Sequence, residues 1–368
     1  MTPEEVVGGR EADHPTRRRV ALLLAAAATL LVFLFSVRLL GRATEAAAPY
    51  VEDAFLAVVV GDAGALGAAW LATYLITNGS VVAALSLTLF AAEIVTATQV
   101  FLMVAGSRLG GAAIVLVIGG LEFLRKRRFS LQRATSLGVL TFLVTLSIYL
   151  PATVLGYLAL PTVTPALTDL SRTLGVDVRP LTVFRPVTDG VLGLVGPFVG
   201  FLVGLGLLFA CLDVFDRLLG RVETETLRRR FFTHLRRRWL SFGIGLLVTS
   251  LTTSVAFSLG VIVPLYNRDY VTRREILPYI LGANVGTLLD TLVVAAVLGS
   301  EAGVVAVTAL IGSGLLVTVL ALAVYERYFA AVAAVQDRLR GDRRLFLAFL
   351  SLLALVPAAL VLLAALAP

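Results

Sequence analysis

Runs of about 20 apolar residues, the length that crosses the hydrocarbon core of a bilayer, recur along this chain, and polar residues break two of them. Lipid offers no partner to a freed N–H or C=O, so a chain at that depth is helical. Breaks survive only where protein or a wet cavity covers them. The sharper break starts at Thr249-Ser250-Leu251-Thr252-Thr253-Ser254 and leads on to Gly282-Ala283-Asn284-Val285-Gly286-Thr287. A fainter one runs from Thr77-Asn78-Gly79-Ser80 to Gly106-Ser107-Arg108-Leu109-Gly110-Gly111.

The net charge of +7 does not point to nucleic acid, because the arginines cluster in short connections between apolar runs. That placement is what membrane orientation requires. Cys211 is the single cysteine, so neither a disulfide nor a zinc site can be built from it. His14 and His234 both sit in basic segments, which excludes a histidine metal centre as the expected chemistry. There is no phosphate-binding Walker loop and no nucleophile–base set, so the chain is not expected to be an enzyme or to need a cofactor.

Charge placement predicts a topology. With residues 1–19 as a cytoplasmic tail, Val20–Leu40 crosses outward; as a secretory signal it would be long and would lack a small-residue cleavage site. Ala54 to Ala92 forms a hairpin broken at Thr77-Asn78-Gly79-Ser80, which enters and leaves on the outside because Glu93 to Ala97 carries no Lys or Arg. Thr98–Leu121 crosses inward and Ala134–Leu160 outward. Residues 161–189 hold Pro161, Pro165, Pro180 and Pro186, and read as an extracellular loop. Gly190–Val214 crosses inward, with Gly196, Gly200 and Gly204 as a small-residue packing face. Residues 217–238 are a basic cytoplasmic segment suited to anionic lipid headgroups. A second broken hairpin, Trp239–Leu265, is followed by spans Glu275–Leu298 and Gly303–Tyr325, a basic cytoplasmic segment at 326–344 and a last helix within 345–368. This topology places most of the 31 Lys and Arg inside.

The expected fold is an all-α polytopic membrane protein of two inverted-topology repeats, residues 20–160 and 190–325. Each runs helix, re-entrant broken hairpin, helix, helix, with an additional C-terminal transmembrane helix. The spacing from Thr77 to Gly106 and from Thr249 to Gly282 differs by four residues, which the longer loop at Tyr266–Glu275 absorbs. Paired breaks of this kind mark a transporter's midplane site. Hydroxyls and carbonyl oxygens at Thr249, Ser250, Thr252, Thr253, Ser254 and Ser258 suit a partly dehydrated alkali cation. The N–H groups of a helix starting at such a break suit an anion. Ser and Thr in membrane helices also bond back to their own backbone, and for any single residue that is the simpler reading.

On these residues the chain resembles the type II sodium–phosphate cotransporter family, whose repeats carry Gln-Ser-Ser-Ser in a re-entrant hairpin and Gly-Ala-Asn-Ile-Gly-Thr opening the next helix. Gly282-Ala283-Asn284-Val285-Gly286-Thr287 matches the second signature almost letter for letter, and the resemblance covers roughly Ala54 to Leu320. It implies sodium-coupled symport of phosphate or a related oxyanion by alternating access. The implied site lies at Thr77, Asn78, Ser80, Thr249–Ser254, Gly282, Asn284, Gly286 and Thr287, with sodium at Thr249, Ser250, Thr252 and Asn284. Both signature glutamines are Thr here, Arg108 stands for the first Asn, and Asp290 adds a second intramembrane charge. Arg108 and Asp290 are expected to face each other near the site. Arg108 then either binds an oxyanion by its fork or replaces a sodium ion. Two other readings stay open: a non-transporting scaffold or sensor, and transport of another anion without sodium. Composition fits a multi-pass protein of a prokaryotic cell membrane with the N-terminus in the cytoplasm; it says nothing of oligomeric state.

Overall fold

The computed structural model describes residues 15–126, 136–173, 182–220, 235, 237–252, 258 and 271–366. Among them every regular element is a helix. The first half holds α1 (Pro15–Val58), α2 (Gly61–Ile76), α3 (Gly79–Ala91), α4 (Ala97–Lys126) and α5 (Ser136–Thr173). A 3-10 turn (Thr182–Phe184) leads into α6 (Arg185–Gly220). The second half continues with α7 (Arg238–Thr252), α8 (Arg273–Gly286), α9 (Leu288–Leu298), α10 (Glu301–Ala323), α11 (Tyr325–Gly341) and α12 (Arg343–Leu366). Among the described residues six stretches are long and apolar enough to cross a membrane: Val20–Tyr50, Gly138–Asp169, Thr182–Phe215, Arg273–Leu298, Glu301–Ala323 and Arg343–Leu366. The chain is a multi-pass membrane protein, and its outer helices turn leucines such as Leu194 and Leu366 outward, as lipid contact requires.

The helices pair across the two halves. α1 packs along α6, and α5 along α10. Within each half, α2 packs on α4 and α7 on α8, while α12 lies against α2. The pairings within each half rest on glycines that bring backbones together. A methyl at Gly110 would meet Trp70 O at 2.8 Å and the Thr73 side chain at 2.6 Å, and one at Gly106 would collide with Leu66 O. In the second half a methyl at Gly286 would meet Leu246 O at 2.6 Å and Thr249 Cβ at 3.1 Å, and one at Gly282 would collide with Phe242 O. Each residue of the second set lies 176 positions after its counterpart in the first. The capping boxes repeat at the same interval. Thr96 N donates to Gln99 Oε1 at 2.9 Å, and Thr272 N to Glu275 Oε2 at 2.9 Å. α2 and α7 also end 176 positions apart, at Ile76 and Thr252.

This packing corrects the spacing read from sequence. Thr249 corresponds to Thr73, not to Thr77, and the four-residue difference disappears. At the same interval Thr77-Asn78 falls on Thr253-Ser254, which lie outside the described residues. The hydroxyl-rich letters misled because Thr recurs along both helices, whereas the glycine contacts admit one register.

Three further expectations change. α1 continues past Leu40 to Val58, because Arg38 does not face water at a helix end. It donates to Val297 O at 3.5 Å and Leu298 O at 3.4 Å, the free carbonyls closing α9. The loop expected at 161–189 is helical as far as Thr173, with Pro161 and Pro165 inside α5, and helical again from Thr182. A frayed backbone has no water partner next to lipid, so the helix persists through its prolines. Gly196 is not a packing residue: it breaks α6 at φ 78 next to Pro197, with nothing near a built Cβ, while Gly204 does approach Leu40 N of α1, at 3.0 Å. Most of the basic segment 217–238 lies outside the described residues.

α11 is joined to the start of α8 by charge. Arg273 Nη1 pairs with Asp337 at 2.7 Å and donates to Gln336 Oε1 at 3.1 Å, and Arg274 pairs with Glu326. Arg273 and Arg274 and the basic segment expected at 326–344 therefore lie on one side of the protein.

Candidate functional site

α2 stops because Thr77 turns left-handed, at φ 58, with its N–H bonded to Thr73 O at 2.8 Å. That conformation is strained for a β-branched residue. Asn78 then starts α3: its side-chain oxygen accepts from Ser80 N at 3.0 Å and Val81 N at 3.1 Å. Asn78 is therefore a helix cap, and its oxygen is committed to the backbone. Thr77 is exposed. Asn78→Ala is expected to lower thermal stability by about 1 kcal/mol or somewhat more, the usual worth of such a cap. Thr77→Gly is expected to raise it, since glycine tolerates φ > 0. Thermal unfolding of the two variants checks both signs.

α8 and α9 are divided at Thr287, whose own backbone stays in the helical region, at φ −67 and ψ −20. Thr287 Oγ1 and the Tyr149 hydroxyl both donate to Asn284 O, at 2.8 and 2.6 Å. They satisfy a carbonyl that the end of α8 leaves free. The Asn284 side chain accepts from Thr145 Oγ1 at 3.0 Å. Tyr149 and Thr145 both come from α5, so a helix of the first half closes over the break of the second.

Arg108 enters from α4. Its guanidinium donates to Thr287 O at 3.4 Å, to Gly79 O at 3.4 Å and to Thr291 Oγ1 at 3.0 Å. Thr291 Oγ1 in turn donates to Asp290 Oδ1 at 2.8 Å. The expected meeting of Arg108 and Asp290 is thus made through the Thr291 hydroxyl, and Ser80 lies close to the same carboxylate. Arg108 is 7% exposed and Asp290 5%. A charge at membrane depth costs about 3 kcal/mol or more unless it finds a partner, and this network supplies one. Three buried polar atoms of the cluster, Arg108 Nε, Asn284 Nδ2 and Asp290 Oδ2, have no hydrogen-bond partner among the described residues.

The hydroxyls of α7 form a separate group. Thr249 Oγ1 donates to Ser258 Oγ at 2.7 Å, and Ser258 Oγ bonds the Tyr279 hydroxyl at 2.6 Å. Ser250 bonds back to Leu246 O at 2.7 Å within its own helix. Thr252 is buried at the end of α7. Gly282 and Gly286 contribute close backbone approach and no polar side chain.

The fold therefore joins Arg108, Ser80, Asn284, Thr287 and Asp290 in one cluster. It leaves Thr77 outside that cluster and uses Asn78 and Ser250 locally. Thr291, Tyr149 and Thr145 were missed from sequence. Thr291, beside Asp290, carried a legible signal, but Thr145 and Tyr149 looked like ordinary residues of an apolar span. Among the described residues no group of His, Cys, Asp and Glu could hold a metal ion.

Arg108 lies eleven residues into α4, and Asn284 eleven residues into α8. At 1.5 Å per residue each is about 16 Å from the start of its helix, half the hydrocarbon thickness. No curated protein and no solved structure matches the chain. Residues 207–335, which run from the end of α6 into α11, match the family model described as Na+/Pi-cotransporter.

Proposed function

We propose that the protein is a secondary active transporter that couples sodium entry to import of phosphate or a related oxyanion. The observation that carries this reading is the buried cluster of Arg108, Asn284 and Asp290. It brings unpartnered donors and an unpartnered acceptor together between two helix breaks, one from each half. Donors such as Arg108 Nε and Asn284 Nδ2 suit an oxyanion. The carboxylate, the hydroxyls and the carbonyls freed at the breaks suit a sodium ion. The family match, over the second half, gives the substrate class its support.

Two inverted repeats fit the observations best. The capping boxes at Thr96 and Thr272 begin equivalent helices. The connection before Thr96 carries no Lys or Arg, whereas Thr272 is flanked by Arg268, Arg273 and Arg274. Equivalent helix starts with opposite charge signatures lie on opposite sides of a membrane. In this reading α2–α3 and α7 with the residues after it are re-entrant hairpins, the halves rock about the cluster, and the N-terminus is cytoplasmic. Arg217–Arg238 rests on anionic headgroups, in the plasma membrane of a prokaryote.

Uptake of labelled phosphate into proteoliposomes tests the function. An inward sodium gradient is expected to accelerate uptake at least several-fold over a potassium control. Absence of uptake of any oxyanion under any ion gradient would overturn the transport reading and favour the scaffold or sensor. Uptake indifferent to sodium would leave a transporter with another driving force.

A further inference from the structure

We propose that Arg108 is a built-in cation. Its guanidinium fills an oxygen-lined position between the two halves that a coupling sodium ion would otherwise take, so the protein binds one sodium ion fewer than it would with a neutral residue at 108. The inference rests on the sodium-coupled reading above and deepens it.

The ligand set carries the argument. The guanidinium is held by two backbone carbonyls and one hydroxyl: Gly79 O of α3, Thr287 O at the α8–α9 break, and Thr291 Oγ1 of α9. These are neutral, hard oxygens drawn from both halves: Gly79 opens α3, Thr287 lies at the α8–α9 junction and Thr291 is in the first turn of α9. They are the kind of set that unwound membrane helices offer an alkali cation. The Asp290 carboxylate touches Arg108 through Thr291, so among the described residues the site balances the charge without a direct ion pair.

The same bonds argue against Arg108 as the oxyanion's bidentate clamp. A fork uses two parallel N–H groups, one of them from Nη2. Both Nη2 hydrogens are committed, to Gly79 O and Thr291 Oγ1, and Nη1 donates to Thr287 O. Nε is left for a single bond. Taking a fork would require the guanidinium to leave its carbonyls. The residue 176 positions on, at the matching place in the second half, is Asn284, which is neutral. The permanent charge of a guanidinium is thus confined to one of two equivalent positions.

Binding of radiolabelled sodium to the purified full-length protein, wild type and Arg108→Asn, tests the proposal without requiring transport. The Asn variant is expected to bind one more sodium ion per chain. In proteoliposomes its sodium-to-phosphate ratio is expected to rise by one. An unchanged sodium count in a folded Arg108→Asn protein overturns the inference. So does loss of phosphate binding with no gain of sodium, which would make Arg108 a substrate ligand. Should Arg108→Asn not yield folded protein, Arg108→Lys keeps a cation in the same position and is expected to keep the wild-type sodium count; an extra sodium in that variant overturns the inference equally. A gain of sodium by Arg108→Asn in a protein that moves no phosphate would support the built-in cation and overturn the transport reading. Sodium-driven uptake with an unchanged count would do the reverse.

Discussion

A single methyl group at Gly282 is expected to disrupt the second half of the protein. α7 and α8 approach so closely that a Cβ at Gly282 would collide with Phe242 O, and one at Gly245, on the facing helix, would collide with Tyr279 O. The obstacles are backbone atoms, which cannot rotate aside as a side chain can. Overpacking of this kind costs about 1–3 kcal/mol and sometimes more, and here the unyielding neighbour puts Gly282→Ala at the upper end. The expected result is a marked loss of thermal stability, with aggregation on extraction from the membrane. Gly243 supplies the control. It sits on α7 with nothing within 4 Å of a built Cβ. Gly243→Ala is expected to be neutral or to stabilise by up to about 1 kcal/mol, the helix preference of Ala over Gly. Thermal unfolding of the two variants, followed by size-exclusion chromatography, checks the contrast. Equal stability of Gly282→Ala and Gly243→Ala would refute the close packing. Gly106→Ala is expected to behave like Gly282→Ala, since it meets Leu66 O in the same way.

The second large effect is expected at Asn284. Its side-chain oxygen accepts from Thr145, while its buried Nδ2 has no partner among the described residues. If that amide donates to the transported oxyanion, Asn284→Ala removes a hydrogen bond to a charged group, about 1.5–3 kcal/mol. Phosphate uptake is then expected to fall roughly tenfold to hundredfold at subsaturating substrate. The Tyr149 and Thr287 bonds go to the Asn284 backbone carbonyl, so they survive the substitution and the break keeps its support. Thr145→Val supplies the comparison, because it removes only the bond that orients the amide; a smaller loss is expected. Initial uptake rates at several phosphate concentrations separate the two. An Asn284→Ala protein with wild-type uptake would remove the amide from the site.

Much of this was legible in the residues. Apolar length and the placement of arginine announced a helical multi-pass protein, because lipid leaves the backbone few choices. Arg108 and Asp290 announced a buried polar site, because charge at that depth needs a reason; the span read as continuous over Glu275–Leu298 is divided at Thr287, which no letter of it announced. The register of the first hairpin was not legible. Its hydroxyl letters suggest one offset, whereas the packing of Gly106 and Gly110 on α2 and of Gly282 and Gly286 on α7 recurs at another. The prolines of α5 misled for a related reason: loop preferences are measured in water, and Pro161 and Pro165 sit in a helix that runs on to Thr173.

Composition and order of residues by themselves determined the membrane class, the polar interruption at Thr77–Ser80 and the rarity of the charges placed near it. Those follow from local solvation, which each residue carries with it. Which groups meet was decided only by the tertiary structure. Thr291 stands between Arg108 and Asp290, Tyr149 and Thr145 of α5 reach over to Asn284, and Asn78 turns to its own helix. A buried donor takes whatever acceptor the packing of distant helices brings within about 3 Å, and no local stretch of sequence contains that distance.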